Sequence, residues 1–325
     1  MIENGAGCAE IKGRIAHVIE ICNLSRRYGS VQALKNVSLR VEKGSVLGLL
    51  GQNGAGKTTL LNILTGYLAP TEGRVLLSGF DPLLQPMEAR QHLGYLPEQP
   101  PLYDEMTVSE YLRFVSELRG VQKKAIPAHV DEVMELTGLS DMRRRLIGHL
   151  SKGYRQRTGM AQALCGDPDV LVLDEPTVGL DPRQVTEMRA LIRKLSGGRT
   201  IVFSSHILSE VQQLCTQVVI LDHGEVKLDQ PMQTMGQGDE ITLKCTVAAS
   251  APKLLPLLRT LDGVRRADVQ TEEADRATIL ITFHDVQEPE RRLFALLSSQ
   301  NLPLLHLSRL ENSLEEVFMQ VISRS

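Results

Sequence analysis

The chain has no tryptophan, and aromatic residues make up only 4% of it, so any large core has to be aliphatic. Cysteine is sparse and unpaired in pattern. Cys8, Cys22, Cys165, Cys215 and Cys245 are odd in number and no two stand at C-x-x-C spacing. That argues against a disulfide framework and against a zinc site, and it fits a reducing compartment. The eight histidines include no H-x-x-x-H pair to set two imidazoles on one helical turn. No apolar run approaches the roughly 18–20 residues that span a bilayer. The first residues carry Glu3 and Glu10 and lack the apolar stretch of a signal peptide. Positive charge is not in excess either: 36 Lys and Arg face 39 Asp and Glu, a net charge of −3. Such a balance offers no basic footprint for nucleic acid. The runs Arg143-Arg144-Arg145 and Arg265-Arg266 read as solvated faces.

What remains is an ordinary packed protein. Its 325 residues, 42% of them hydrophobic, suffice for one large domain and a smaller one. Residues 1–16 read as a flexible leader. From His17 to about Asp229, short apolar runs alternate with helical patterns. Val46–Leu50, Val170–Leu173, Thr200–Phe203 and Val218–Leu221 are apolar on both faces, the mark of a buried parallel sheet between helices. Over about 98–165 the strand signal disappears, and an all-helical insertion is expected. Thr107-x-x-Glu110 opens one helix through Leu118 as a capping box, and Val130–Thr137 forms a second that ends at Gly138. Residues 230–240 are a linker rich in Pro, Gly, Gln and Met. Beyond it the order is strand Ile241–Val247, helix Lys253–Leu261, strands Val264–Gln270 and Ala277–Phe283, helix Glu288–Ser299 and strand Leu304–Leu307. That βαββαβ order predicts a small α+β, ferredoxin-like domain over 241–325. A last helix opens with the capping box Ser313-Leu314-Glu315-Glu316.

The chemistry concentrates in a few short stretches. Gly51-Gln52-Asn53-Gly54-Ala55-Gly56-Lys57-Thr58 fits G-x-x-x-x-G-K-[ST], directly after a predicted strand and before a helical pattern. Its glycines let backbone N–H groups turn inward around an anion, and the helix N-terminus adds partial positive charge. Lys57 supplies a fixed charge for the β/γ-phosphates and Thr58 a hydroxyl for Mg²⁺; Thr59 completes the nucleotide-binding run. Asp174 ends an apolar strand, where a carboxylate stands beside the phosphate loop and can hold the metal. Glu175, next to it, can polarise an attacking water. A glycine-rich turn and a strand-end Asp are each common without function; together, in this order, they point to a P-loop NTPase fold.

Leu150-Ser151-Lys152-Gly153-Tyr154-Arg155-Gln156-Arg157 narrows the choice. Lying shortly before Val170–Glu175, it resembles the LSGGQ signature of the ATP-binding-cassette (ABC) family, with Lys152 and Tyr154 where Gly and Gln are usual. The resemblance covers residues of about 17–229 and assigns further roles. Tyr28 is similar to the aromatic that stacks on adenine, Gly179-Leu180-Asp181 to the D-loop, and His206 after Ser205 to the switch histidine. In Tyr95-Leu96-Pro97-Glu98-Gln99 the family's metal-contacting glutamine falls on Glu98, with Gln99 one step later, so the metal set is Thr58, Asp174 and Glu98 or Gln99. This L-P-E form, and the ending Ser313–Phe318, resemble exporter subunits of the multidrug and gliding-motility type.

The resemblance implies an ATP-binding and ATP-hydrolysing subunit, using ATP and Mg²⁺, that powers a separate multi-spanning membrane permease. Its phosphate loop would face the signature residues Ser151, Lys152, Gly153 and Tyr154 of another subunit, with catalysis by Glu175 and His206. One phosphate loop in the chain implies a second copy or a homologous ATPase partner. The expected location is cytoplasmic, peripheral on the inner face of the plasma membrane through the permease. Tyr95, Tyr103, Tyr111 and Phe114 crowd the insertion with four of the chain's six tyrosines and six phenylalanines, either as docking surface or as core of the helical subdomain. Two alternatives stand beside this: a soluble ABC ATPase uncoupled from transport, and a nucleotide-dependent regulatory module, against which Glu175 counts.

Overall fold

The computed structural model describes residues 17–235, 240–273, 275–284, 286–310 and 314–323; the leader expected over residues 1–16 and the Ser313 cap lie outside them. The chain divides into two compact units on either side of the Met232–Gln233 bond.

The first unit opens with an antiparallel hairpin, β1 (His17–Tyr28) and β2 (Val31–Glu42), which is not in the sequence expectation of an alternating α/β pattern. In β2, Val37, Leu39 and Val41 are buried while Ser38, Arg40 and Glu42 are exposed. A period of two with one wet face is the mark of an antiparallel strand, and a search for fully apolar runs passes over it. After β3 (Val46–Leu50) and α1 (Lys57–Leu64), β4 (Glu72–Leu77) pairs with the other side of β1, giving the order β2-β1-β4.

The second sheet is the one the apolar runs predict. α2 (Pro86–Gln91) leads into β5 (Leu93–Leu96), and β6 (Val170–Asp174), β7 (Thr200–Ser205), β8 (Gln217–Asp222) and β9 (Glu225–Pro231) follow. The order is β5-β6-β7-β3-β8-β9, parallel throughout except for the antiparallel edge strand β9. β9 runs to Pro231, so the first residues of the expected linker belong to the sheet. Leu60, Leu61, Ile63 and Leu64 of α1 fill one core with Leu47 and Leu49 of β3, Val202 of β7, and Leu24, Val37 and Val41 of the hairpin. Each such side chain fully buried contributes about 1.5–3 kcal/mol, so the phosphate-loop helix is clamped into the packing of both sheets.

Between β5 and β6 lie three helices: α3 (Val108–Leu118), α4 (Ile126–Thr137) and α5 (Lys152–Leu164). The capping box at Thr107 and Glu110 is present with both of its hydrogen bonds, and Gly138 ends α4 in the left-handed conformation at φ 69°. α4 begins four residues before the expected Val130. Its N-cap, Ala125, makes no side-chain bond, so the start carries no polar signal. α6 (Pro182–Ser196) and α7 (Leu208–Leu214) complete the unit.

The second unit has β10 (Glu240–Val247), α8 (Ala251–Leu258), β11 (Val264–Glu273), β12 (Arg276–His284), α9 (Pro289–Ser299), β13 (Leu304–Leu310) and α10 (Leu314–Ser323). Its sheet is antiparallel in the order β11-β12-β10-β13, so α8 and α9 each cross over a strand that lies between the two they connect. Leu243, Cys245 and Val247 alternate inward with Ala277, Ile279, Ile281 and Phe283, and meet Leu254, Leu258, Leu293 and Leu297 of α8 and α9.

Candidate active site

Sheet register sets the geometry of the site. Leu50 of β3 pairs with Ser205 of β7, and Asp174 of β6 pairs with Ser204. The residues that follow these strand ends, Gly51, Glu175 and His206, therefore converge on one edge of the sheet, where the strand carboxyl ends of open α/β folds bind ligands.

Gly51 leaves β3 so close to β8 that a Cβ on it would lie 2.4 Å from the Leu221 carbonyl oxygen. Gly56 closes the loop at φ 105°, where a Cβ would meet the Ala33 oxygen at 2.7 Å. No larger residue fits either position without moving backbone. Gly56 is the N-cap of α1; no side chain caps that end and no acidic residue occupies its first turn. An uncapped helix start leaves N–H groups and partial positive charge for an anion. Gln52, Asn53, Gly54 and Thr58 are exposed around it, Thr59 is half-buried, and Ala55 is buried beneath. Lys57, only 7% exposed, bends back so that its Nζ donates to the Gly51 carbonyl at 2.7 Å and the Gln52 carbonyl at 3.3 Å. Its ammonium stands 3.9 Å from the Glu175 Oε1.

Asp174 and Glu175 are held from β7. The Ser204 hydroxyl donates to the Asp174 Oδ1 at 2.6 Å and accepts the Glu175 N–H at 2.9 Å. Glu175 takes φ 46°, a left-handed conformation that costs a non-glycine residue about 1–2 kcal/mol. The His206 Nδ1 lies 2.9 Å from the Glu175 Oε2. Tyr95 packs beside this group; burial, and then the Asp174 charge, push its phenol up to about 12. Glu98 and Gln99 both stand exposed beyond the end of β5.

A second cluster forms elsewhere on the same unit. Ser151 caps α5, its hydroxyl facing the Tyr154 N–H at 3.5 Å, and Asp181 caps α6, accepting the Gln184 N–H at 2.9 Å. Gly153 is packed against the Gln184 amide, and the Lys152 ammonium lies over Gly179. Gly153, Tyr154, Asp181 and Gln184 line one open cleft of about 670 Å³. The signature residues thus gather with the D-loop residue and not with Lys57. Tyr28, 45% exposed at the tip of the hairpin, carries the Arg26 guanidinium 4.6 Å above its ring centre.

Sequence reading passes over the serines that hold the carboxylates. Ser204 and Ser205 are fully buried in β7; two adjacent hydroxyls after Ile201-Val202-Phe203 are the signal that could have marked them. The aromatic cluster of the insertion divides: Tyr111 is buried core, whereas Tyr103 and Phe114 remain 52% and 37% exposed and pack on each other.

Residues 34–178 match the family described as ABC transporter. The chain is 41% identical over 215 residues to the ABC transporter ATP-binding protein NatA of Bacillus subtilis (strain 168), an alignment spanning 64% of this chain and 87% of that protein. It is 32% identical over 307 residues to the bacitracin transport ATP-binding protein BcrA of Bacillus licheniformis, across 94% of this chain and 97% of that one. Among solved structures, cbiO1 from Clostridium perfringens, part of the ABC transporter complex cbiONQ, superposes with a TM-score of 0.62 at 28% identity, covering 67% of this chain and 90% of that chain.

Proposed function

The chain belongs to the ATP-binding proteins of ABC transporters, and on that premise we propose how its residues perform the work of the family. It is the ATP-hydrolysing subunit that powers transport by a separate permease. Gly51–Thr59 holds the nucleotide, with Lys57 and the free N–H groups of α1 on the phosphates. Tyr28 receives the adenine. Thr58 and Asp174, with Glu98 or Gln99, are hard oxygen donors of the kind Mg²⁺ takes. When bound, Mg²⁺ neutralises charge on the β- and γ-phosphate oxygens.

Glu175 takes a proton from the water that attacks the γ-phosphorus, while the bond from that phosphorus to the β–γ bridging oxygen breaks. His206 holds the Glu175 carboxylate through its 2.9 Å hydrogen bond. Ser151, Lys152, Gly153, Tyr154 and Asp181 act on nucleotide held by the second ATPase subunit, either an identical copy or a related chain. The exposed Tyr103 and Phe114 supply aromatic surface of the kind enriched at interfaces, for a multi-spanning permease to dock on. The chain therefore works peripherally on the cytoplasmic face of the plasma membrane; among the described residues no helix is long and apolar enough to cross it.

The observation that carries this reading is the Lys57–Glu175–His206 arrangement at the phosphate loop. Glu175→Gln keeps the shape and removes the base. Its expected effect is retained ATP binding with hydrolysis slowed about 10²–10⁴-fold, measured by phosphate release. Unchanged turnover would move the base to another residue.

A further inference from the structure

We propose that Glu210 is a positioning residue for hydrolysis, a buried carboxylate that ties the Glu175–His206 pair to the helix that Asp181 opens. The proposal rests on the catalytic reading of Glu175 given above. Glu210 lies on α7 with no exposed surface. Its Oε2 accepts two hydrogen bonds at 2.9 Å, from the Ser205 hydroxyl and from the Thr177 hydroxyl. Its Oε1 faces the Arg189 guanidinium at 3.2 Å, with Nη2 donating.

Each partner sits next to a working part. Ser205 immediately precedes His206, and its Oγ also accepts the Ile207 N–H at 3.0 Å, so it fixes the backbone on both sides of the imidazole. Thr177 lies two residues past Glu175, in the turn whose Val178 N–H bonds back to the Glu175 carbonyl. Arg189 lies on α6, whose first turn is capped by Asp181. One carboxylate thus bonds to the strand end that carries the histidine, the turn that carries the base and the helix behind the D-loop.

The chemistry of burial argues that this is more than filler. A carboxylate taken wholly out of water is tolerated only with its charge paired and its lone pairs occupied. Apolar packing would close the space between α6, α7 and β7 at lower cost. What the carboxylate adds is direction. Charge-assisted bonds are short and angularly demanding, and they fix Thr177 and Ser205 relative to one another. Glu175 itself is held in a left-handed conformation, which persists only where its surroundings enforce it. The Glu210 contacts lie one residue from His206 and two from Glu175.

The test compares isosteric changes on the full chain. Thr177→Val removes one hydroxyl at constant shape; Thr177→Ser keeps it. Removing both charges together, as Arg189→Met with Glu210→Met, avoids stranding either one in the interior. The expected result is a kcat lowered about 10–100-fold in Thr177→Val and in the double variant, since small misplacements cost that much. ATP affinity should stay within about twofold of wild type on that account, and Thr177→Ser should recover the rate. Should the double variant fail to fold, the Thr177 pair alone decides. Wild-type kcat in Thr177→Val, or a loss of ATP affinity that parallels the loss of rate, overturns the proposal. Glu175→Gln, run alongside, separates the two levels. If it leaves turnover intact, the catalytic reading itself fails; if it abolishes turnover while Thr177→Val does not, only the role of Glu210 falls.

Discussion

On the proposed metal set, Glu98 would bring a carboxylate to a place where the family's pattern carries an amide, on the side of Asp174, Glu175 and the γ-phosphate. A third negative group there is tolerable if a cation faces it, because the ion inverts the usual repulsion. Glu98→Ala should therefore raise the Mg²⁺ concentration needed for half-maximal ATPase activity, Glu98→Gln should shift it only modestly, and Gln99→Ala should leave it unchanged. A defect confined to the Gln99 variant would move the role one residue along. At this scale the legible residues are those that serve one local turn or stand at the end of an apolar strand. The phosphate loop can be read because Gly51, Gly56 and Lys57 serve one local turn. Ser204 and Glu210 cannot, because their partners Asp174 and Thr177 come from another strand and another turn.

Elements with chemistry at their ends are read well, and those without it are not. Thr107 and Glu110 announce α3, and the structure holds both bonds of the box, whereas α4 opens at Ile126 without a side-chain cap, marked only by Pro127 in its first turn. The capping bonds donated by the Thr107 hydroxyl and N–H hold the Glu110 carboxyl below its usual range. A depressed carboxylate stabilises the folded state at neutral pH, and that contribution is lost as the pH falls through the folded value. Thr107→Ala should lower the Tm at pH 7 by about 2–4 °C, the shift expected for one lost helix cap in a domain of this size. The gap from wild type should narrow in acid, once the pH has fallen through the depressed folded value and Glu110 is protonated in folded and unfolded chains alike. Thermal melts at pH 7 and in acid check it; a gap that persists in acid would mean that the Thr107 hydroxyl acts without the carboxylate. The β1–β2 hairpin is the larger omission at this scale. Its alternating pattern is present in the sequence, yet four apolar runs elsewhere dominate the expectation of a parallel sheet.

On the scale of the whole molecule, the two residue clusters lie apart on one unit. Lys57, Asp174, Glu175 and His206 gather at the carboxyl edge of the parallel sheet, and Ser151, Gly153 and Asp181 at the starts of α5 and α6. The family's subunits dimerise, and on the function proposed above a second subunit turned to face the first would supply each phosphate loop with the signature residues. In that arrangement the α5 N-terminus would offer its dipole and the Ser151 hydroxyl to the γ-phosphate from the far side, and ATP would favour the closed dimer by differential affinity. Ser151→Arg tests this without touching the phosphate loop, because it places a bulky side chain only where the partner's nucleotide would approach. In the Glu175→Gln background, which retains ATP, size-exclusion chromatography should show an ATP-dependent dimer, and adding Ser151→Arg should return the chain to monomer. ATP binding to that monomer should stay within about twofold of the parent, since the loop and its helix are unchanged. The connection between the two clusters within one chain gives the experiment a second reading: Gln156 of α5 donates to the Pro176 carbonyl at 3.2 Å, next to Glu175. A dimer that still forms with Ser151→Arg would mean that Leu150–Arg157 does not meet nucleotide across the interface, and that its contact with the Glu175 turn is the part that matters.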